Sequence, residues 1–192
     1  DYQLLTDYTL PESVLPYNRL PHASFTWQRP YGRWLNAGVD TTATRFSHLD
    51  DAARPGGSRL DVKPYVSMPF EGAAWFVRPT LAFRHTSYSL DRVLADRIAE
   101  QRARAELGIP GDVAVPADTL ALYRNTSPSR SQPIGSIDAG LFFDRNTRWR
   151  GEDYLHTLEP RLFYLNSPYR DQSALPLFDT QPLTFSWGQL FR

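Results

Sequence analysis

The chain has 192 residues, enough for one domain with a real core and at most two. Its 21 basic and 21 acidic residues cancel, which argues against a nucleic-acid partner. Cysteine is absent, which excludes disulfides and thiolate metal sites in this segment, and no apolar run reaches the roughly 18 residues of a transmembrane helix.

The first residues, DYQLLTDYTLPESVLPY, lack the basic region and apolar core of a signal peptide. Period-2 alternation then takes over. Pro21, Ala23, Phe25 and Trp27 alternate with His22, Ser24, Thr26 and Gln28. After RPYG (29–32), Leu35, Ala37, Val39, Thr41 and Ala43 alternate with Asn36, Gly38, Asp40, Thr42 and Thr44. A three-residue loop there is expected to pair Trp27 with Leu35 and Phe25 with Ala37. Next, Leu60, Val62, Pro64, Val66, Met68 and Phe70 alternate with Arg59, Asp61, Lys63, Tyr65 and Ser67. Trp75, Val77, Pro79, Leu81 and Phe83 follow, set against Phe76, Arg78, Thr80, Ala82 and Arg84. A four-residue loop near Glu71 and Gly72 is expected to pair Met68 with Trp75, Val62 with Leu81 and Pro64 with Pro79.

Residues 91–130 interrupt this pattern. DRVLADRIAEQRARAEL reads as a helix with a narrow apolar stripe near Leu94, Ile98 and Leu107; Gly108 and Pro110 supply its stop signal. Alternation then resumes with Ile137, Ala139, Leu141 and Phe143 against Ser136, Asp138, Gly140 and Asp144. A turn within NTRWRGED leads to Leu158, Pro160, Leu162 and Tyr164, set against Thr157, Glu159, Arg161 and Phe163. The fold class is all-β and antiparallel, with about six long strands and one helical loop insertion.

Three strands carry a proline on the apolar face, in DVKPYVSM, FVRPTLAF and TLEPRLFY, and each proline removes a ladder donor. The opposite face gathers Asp40, Arg59, Asp61, Lys63, Arg78, Arg84, Asp138, Glu159 and Arg161, with Asp144 in line. Such charges are costly inside a dry sandwich and cheap facing a wet lumen. Connections are lopsided, short at one end and long at the other, as in membrane barrels. Trp27, Trp34, Trp75, Trp149 and Tyr154 gather at the short-turn end with Tyr31 and Phe70, as an interfacial belt would, whereas Trp187 lies apart. A transmembrane β-barrel segment is therefore expected, rather than a soluble sandwich. No residues are arranged for catalysis: His22, His48, His85 and His156 are scattered, and Asp50 and Asp51 read as a solvated loop. No metal or cofactor is expected.

The stretch HTLEPRLFYLNSPYRDQSALPLFDT, with FSWGQLFR after it, resembles the organic solvent tolerance family, LptD, the outer-membrane barrel of the lipopolysaccharide transport machine. Leu158-Glu159-Pro160-Arg161, Tyr164-Leu165, Pro168-Tyr169-Arg170-Asp171-Gln172-Ser173 and Leu190-Phe191-Arg192 carry the resemblance. The departures are Asn166-Ser167, where the family more often has a bulkier pair, and a long insertion near 91–130. The resemblance implies a barrel of about twenty-six strands in the outer membrane of a Gram-negative cell. It further implies a plug lipoprotein, LptE, inside the barrel, and a periplasmic domain, outside this chain, that meets periplasmic bridge proteins. The cargo would be lipopolysaccharide, inserted into the outer leaflet without enzymatic chemistry.

Residues 1–192 would then be an internal piece of the barrel domain, with an insertion at about 91–130 and an external loop at about 168–192. That loop, through Pro168, Tyr169, Arg170, Asp171, Gln172 and Ser173, either folds inward to support the plug, with Tyr169, Arg170 and Asp171 as contacts, or is a purely structural turn. A general porin or uptake channel would share the strand pattern but not the Pro-Tyr-Arg-Asp-Gln-Ser run.

Overall fold

The structure is a computed structural model and describes residues 15–179. Within the described residues, nine strands and two helices follow in chain order: β1 (Asn18–Tyr31), β2 (Leu35–Ser47), β3 (Gly57–Ser67), β4 (Phe70–Glu71), β5 (Trp75–Leu90), α1 (Arg92–Leu107), α2 (Ala117–Tyr123), β6 (Ser129–Leu141), β7 (Phe143–Trp149), β8 (Glu152–Leu158) and β9 (Arg161–Asn166). They form an open antiparallel meander, β1-β2-β3-β5-β6-β9, with β4 beside β5 and β7 paired to β8.

The six expected strands are present, but prolines divide some of them. β6 and β7 run on in one direction and return as β8 and β9; Ala139 faces Leu162 and Phe143 faces Leu158 in a single register. The break falls where Leu141 N donates to Pro160 O (3.0 Å) and the proline has no N–H to return. Likewise Met68 N donates to Pro79 O (3.0 Å), beside the gap between β3 and β4. Opposite Pro64, the β3–β5 ladder skips from Val62–His85 to Tyr65–Ala82. Each proline thus interrupts the hydrogen bonding while the sheet continues past it.

Two expected registers are wrong. Trp27 faces Val39 and Phe25 faces Thr41, because RPY completes β1 and the tight loop lies at Gly32–Trp34, with Gly32 at φ 69°. On β3, Val66 faces Leu81 and Val62 faces His85, so Pro64 and Pro79 do not oppose each other. Gly72 N donates to Trp75 O (2.8 Å), closing that turn later than expected. Both shifts are even, so every residue keeps its face. The third turn, Arg150-Gly151, has φ 54° and 86°, the left-handed pair of a two-residue hairpin.

The turns form a staircase. One cross-strand row runs Pro30, Asn36, Ser67, Thr80, Ser136, Leu165. It starts beside the first short turn and ends beside the long-loop end of β9. Strand ends that climb in this way are what tilted strands require.

The expected helix is α1, closed by Gly108 at φ 65° with its N–H bonded to Arg104 O. Its buried stripe is Ala95, Ala99 and Ala103, not the expected Leu94, Ile98 and Leu107, and Leu107 is exposed. The sequence reading missed α2, which packs beside it. Arg97 reaches Ala52 O and Ala53 O in the β2–β3 loop, and Arg124 pairs with Asp96, so the insertion is a folded cap at the long-loop end. No described helix is long and apolar enough to cross a membrane.

Candidate functional site: the polar face and the segment folded across it

Alternation sends Asp40, Asp61, Arg84, Asp138 and Arg161 to one face, and register brings acids beside bases. Lys63 Nζ lies 3.0 Å from Asp40, its cross-strand partner. Arg84 Nε donates to both oxygens of Asp61 (3.0 and 2.8 Å), and Thr86 Oγ1 adds a third bond at 2.6 Å. Asp61 is only 7% exposed, so these bonds replace water it has lost. Arg161 grips Asp138 through two bonds of 2.7 Å, and Arg78 meets Glu71 at 3.2 Å. Both guanidinium groups lie within cation–π range of the Phe76 ring. That ring covers Gly140 so closely that a Cβ there would meet it at 2.4 Å. Tyr65 covers its partner Gly38 in the same way. Glu159 is exposed beside Pro160 and joins none of these pairs among the described residues.

The segment after β9 lies across this face. Gln132 Nε2 donates to Ser167 Oγ (2.6 Å) and Pro168 O (3.2 Å), and Arg130 Nη1 donates to Gln172 Oε1 (2.8 Å). Farther along, Phe178 stacks on Phe46 with centroids 4.3 Å apart, and Asp179 takes two bonds from Arg59 (2.7 and 3.0 Å). Phe46 is 1% exposed and is the largest fully buried side chain among the described residues. Tyr17 sets its ring edge-on to both phenylalanines and donates to Pro55 O (3.3 Å). Burial pushes the Tyr17 hydroxyl above its usual range, with Arg54 and Arg97 acting against it.

The Pro168–Ser173 motif divides between the sheet, solvent and a local turn. Gln172 bonds to the sheet, Tyr169 is 86% exposed and Arg170 is exposed. Asp171 receives the Ser173 N–H (3.0 Å) and hydroxyl (2.8 Å), which hold its carboxyl below the usual range and lock a turn. The Phe46–Phe178 and Arg59–Asp179 contacts escaped the sequence reading. One signal was available: Phe46 is an aromatic ring at a position that alternation assigns to the polar face.

The other face is mainly apolar, interrupted by Thr41, Arg45, Ser58 and His85. Trp27, Val39, Leu60, Val66, Met68, Leu81, Phe83, Ile137, Leu162 and Tyr164 lie on it, with Leu81 62% and Leu162 68% exposed. Trp34 packs against Phe70 across the first two turns (5.7 Å), and Trp75, Trp149 and Tyr154 are exposed at or beyond the short-turn end. Trp187 and Leu190-Phe191-Arg192 lie outside the described residues.

Three of the four histidines make local hydrogen bonds. His48 bonds to Leu15 O and Asp50 N, His22 to Thr44 and His85 to Ser131, while His156 is exposed on β8. Asp50 caps its own loop by accepting the Ala53 N–H (2.9 Å). Among the described residues no group of His, Asp and Glu is placed to hold a metal ion.

The family model described as LPS transport system D matches residues 1–192. The chain is 47% identical to the LPS-assembly protein LptD of Xanthomonas axonopodis pv. citri (strain 306), over 98% of this chain and 24% of that protein. It is 46% identical to the LptD of Xanthomonas campestris pv. campestris (strain 8004), with the same shares covered. It is 44% identical to that of Xylella fastidiosa (strain Temecula1), over 98% of this chain and 23% of the relative. The chain thus spans about a quarter of the length of the curated relatives it matches. A match of this extent places the chain in the LptD family, LPS transport system D.

Proposed function

We propose that the chain is a wall segment of an outer-membrane β-barrel that carries lipopolysaccharide to the outer leaflet. The observation that carries this reading is the division of one sheet into a face of paired charges and a face of exposed hydrophobic side chains. In water, so large an apolar surface would be an association hazard; lipid removes it. The described hydrophobic core, Phe46, Leu90 and three alanines of α1, is too small to account for the fold by itself.

The staircase of turns supports barrel geometry, since tilted strands bring climbing strand ends to a common height. With such a tilt, Trp34, Trp75, Trp149 and Tyr154 fall near one interface, where indole and phenol rings partition. The charged face then lines the lumen. Asp40, Arg59, Asp61, Lys63, Arg78, Arg84, Asp138 and Arg161 stiffen it by pairing, and Glu159 is left for lumen contacts. The segment at 167–179 lies over the same face, where Gln172 and the exposed Tyr169 and Arg170 can support a plug lipoprotein such as LptE. No step of this account needs covalent chemistry.

Depletion of the full-length protein in cells tests the reading. Loss of surface lipopolysaccharide, with accumulation on the cell-inward side of the outer leaflet, is the expected result. Unchanged surface lipopolysaccharide with impaired uptake of small solutes would point to a general channel instead.

A further inference from the structure

Cations are distributed unequally over the two faces. On the polar face Lys63, Arg59, Arg78, Arg84 and Arg161 all meet carboxylates. Arg45 sits on the opposite, apolar face, facing Ser58 and in line with Ala43. It is exposed, and among the described residues it has no acidic partner. Its place in β2 is at the long-loop end, immediately beside a groove of about 440 Å³.

The register explains the groove. One row of the apolar face reads Ala23, Ala43, Leu60, Ser87, and the next row toward the long loops reads Arg45, Ser58, Ser89. Small side chains fill both rows except for Leu60 and Arg45, which stand at the floor and the rim. A second hollow, of about 320 Å³, lies farther along this face among Val66, Met68, Leu81 and Ile137, and its lining holds no cation. The hollow is lined almost wholly by apolar surface, while its upper edge offers a guanidinium and serine hydroxyls.

We propose that this groove binds an anionic lipid of the outer leaflet. One acyl chain lies over Ala23, Ala43 and Leu60, and the phosphate sits against Arg45 with Ser58 and Ser89 as hydroxyl donors. The charge argues for a phosphate-bearing headgroup, because an unpartnered arginine on a lipid-facing wall gains most from a bidentate anion at the interface. The depth argues for an acyl chain, because a cavity of small apolar side chains accepts a flexible hydrocarbon without rearrangement. This proposal rests on the membrane-wall reading above.

The test uses the full-length protein in bilayer discs of phosphatidylcholine, with its other free thiols masked. A fluorophore is placed on Thr41→Cys, just below the groove, or on Val66→Cys, farther along the same face. Part of the host lipid is replaced by phosphatidylglycerol with brominated chains, or by brominated phosphatidylcholine as the neutral control. At Thr41 the anionic lipid should be enriched about fivefold over the neutral one. Arg45→Ala and the groove-filling Ala43→Trp should each remove that preference, whereas Arg45→Lys should keep most of it. Equal quenching by both lipids at Thr41, with normal quenching at Val66, would overturn the site and leave the membrane wall standing. No quenching at either position would overturn the wall itself.

Discussion

The two faces of this sheet are built from the same strands, a residue apart, yet follow opposite rules. On the polar face, affinity is satisfied inside the chain: acids meet bases, Phe76 and Tyr65 cover glycines, and the segment at 167–179 lies over the result. On the apolar face almost nothing is satisfied internally, and Leu81, Leu162 and Tyr164 project into open space. The comparison teaches that the sheet has one completed surface and one that its surroundings must complete.

The largest effect expected is on the incomplete face. On the proposed membrane-wall reading, Leu81→Arg in the full-length protein reconstituted in bilayers should cost about 2–4 kcal/mol, read from denaturant unfolding. Thr80→Arg, one residue away on the polar face, should stay within about 0.5 kcal/mol. Similar losses at both positions would erase the distinction between the faces.

Next comes the completed face. Asp61→Ala should cost about 1–3 kcal/mol, since Arg84 and Thr86 lose their shared acceptor in a mostly buried setting. The double variant with Arg84→Ala should cost less than the sum of the two single changes. Phe178→Ala removes the stacked pair with Phe46 and the edge-on pair with Tyr17, each worth about 0.5–1.5 kcal/mol. Hydrogen exchange should then rise in 167–179 and at Phe46 while staying unchanged in β5 and β6.

The smallest effect is a pH response. The Asp171 carboxyl titrates below its ordinary range, so its contribution is complete above that range and is lost as pH falls through the lowered value. The Asp171–Ser173 turn should therefore loosen on acidification, and Asp171→Asn should remove most of the pH dependence. The Ser173 amide proton, followed by NMR, would report it.

Strand existence and face were legible because alternation is a local property of Leu60 to Phe70 or Trp75 to Phe83. Register was not. An even slip of Trp27 from Leu35 to Val39 preserves every face, and the deciding facts, Gly32 with positive φ and the late closure at Gly72–Trp75, lie in the turns. The ion pairs were legible as a set of charges but not as partners, because partnership needs register. The segment after β9 was least legible: its alternation stops at Asn166, and only Phe46, an apolar ring on a polar row, hinted that something would cover it.

The central claim is that alternate residues of one strand face lipid and a wet lumen. The direct measurement places single cysteines along residues 58–68 of the full-length protein in native membranes, with other free thiols masked. Each is then challenged with a water-soluble thiol reagent. The account predicts silent positions at Val62, Pro64 and Val66 and labelled ones at Lys63 and Tyr65, with weaker labelling at the nearly buried Asp61. Labelling at Val62 and Val66 as strong as at Lys63 would contradict it.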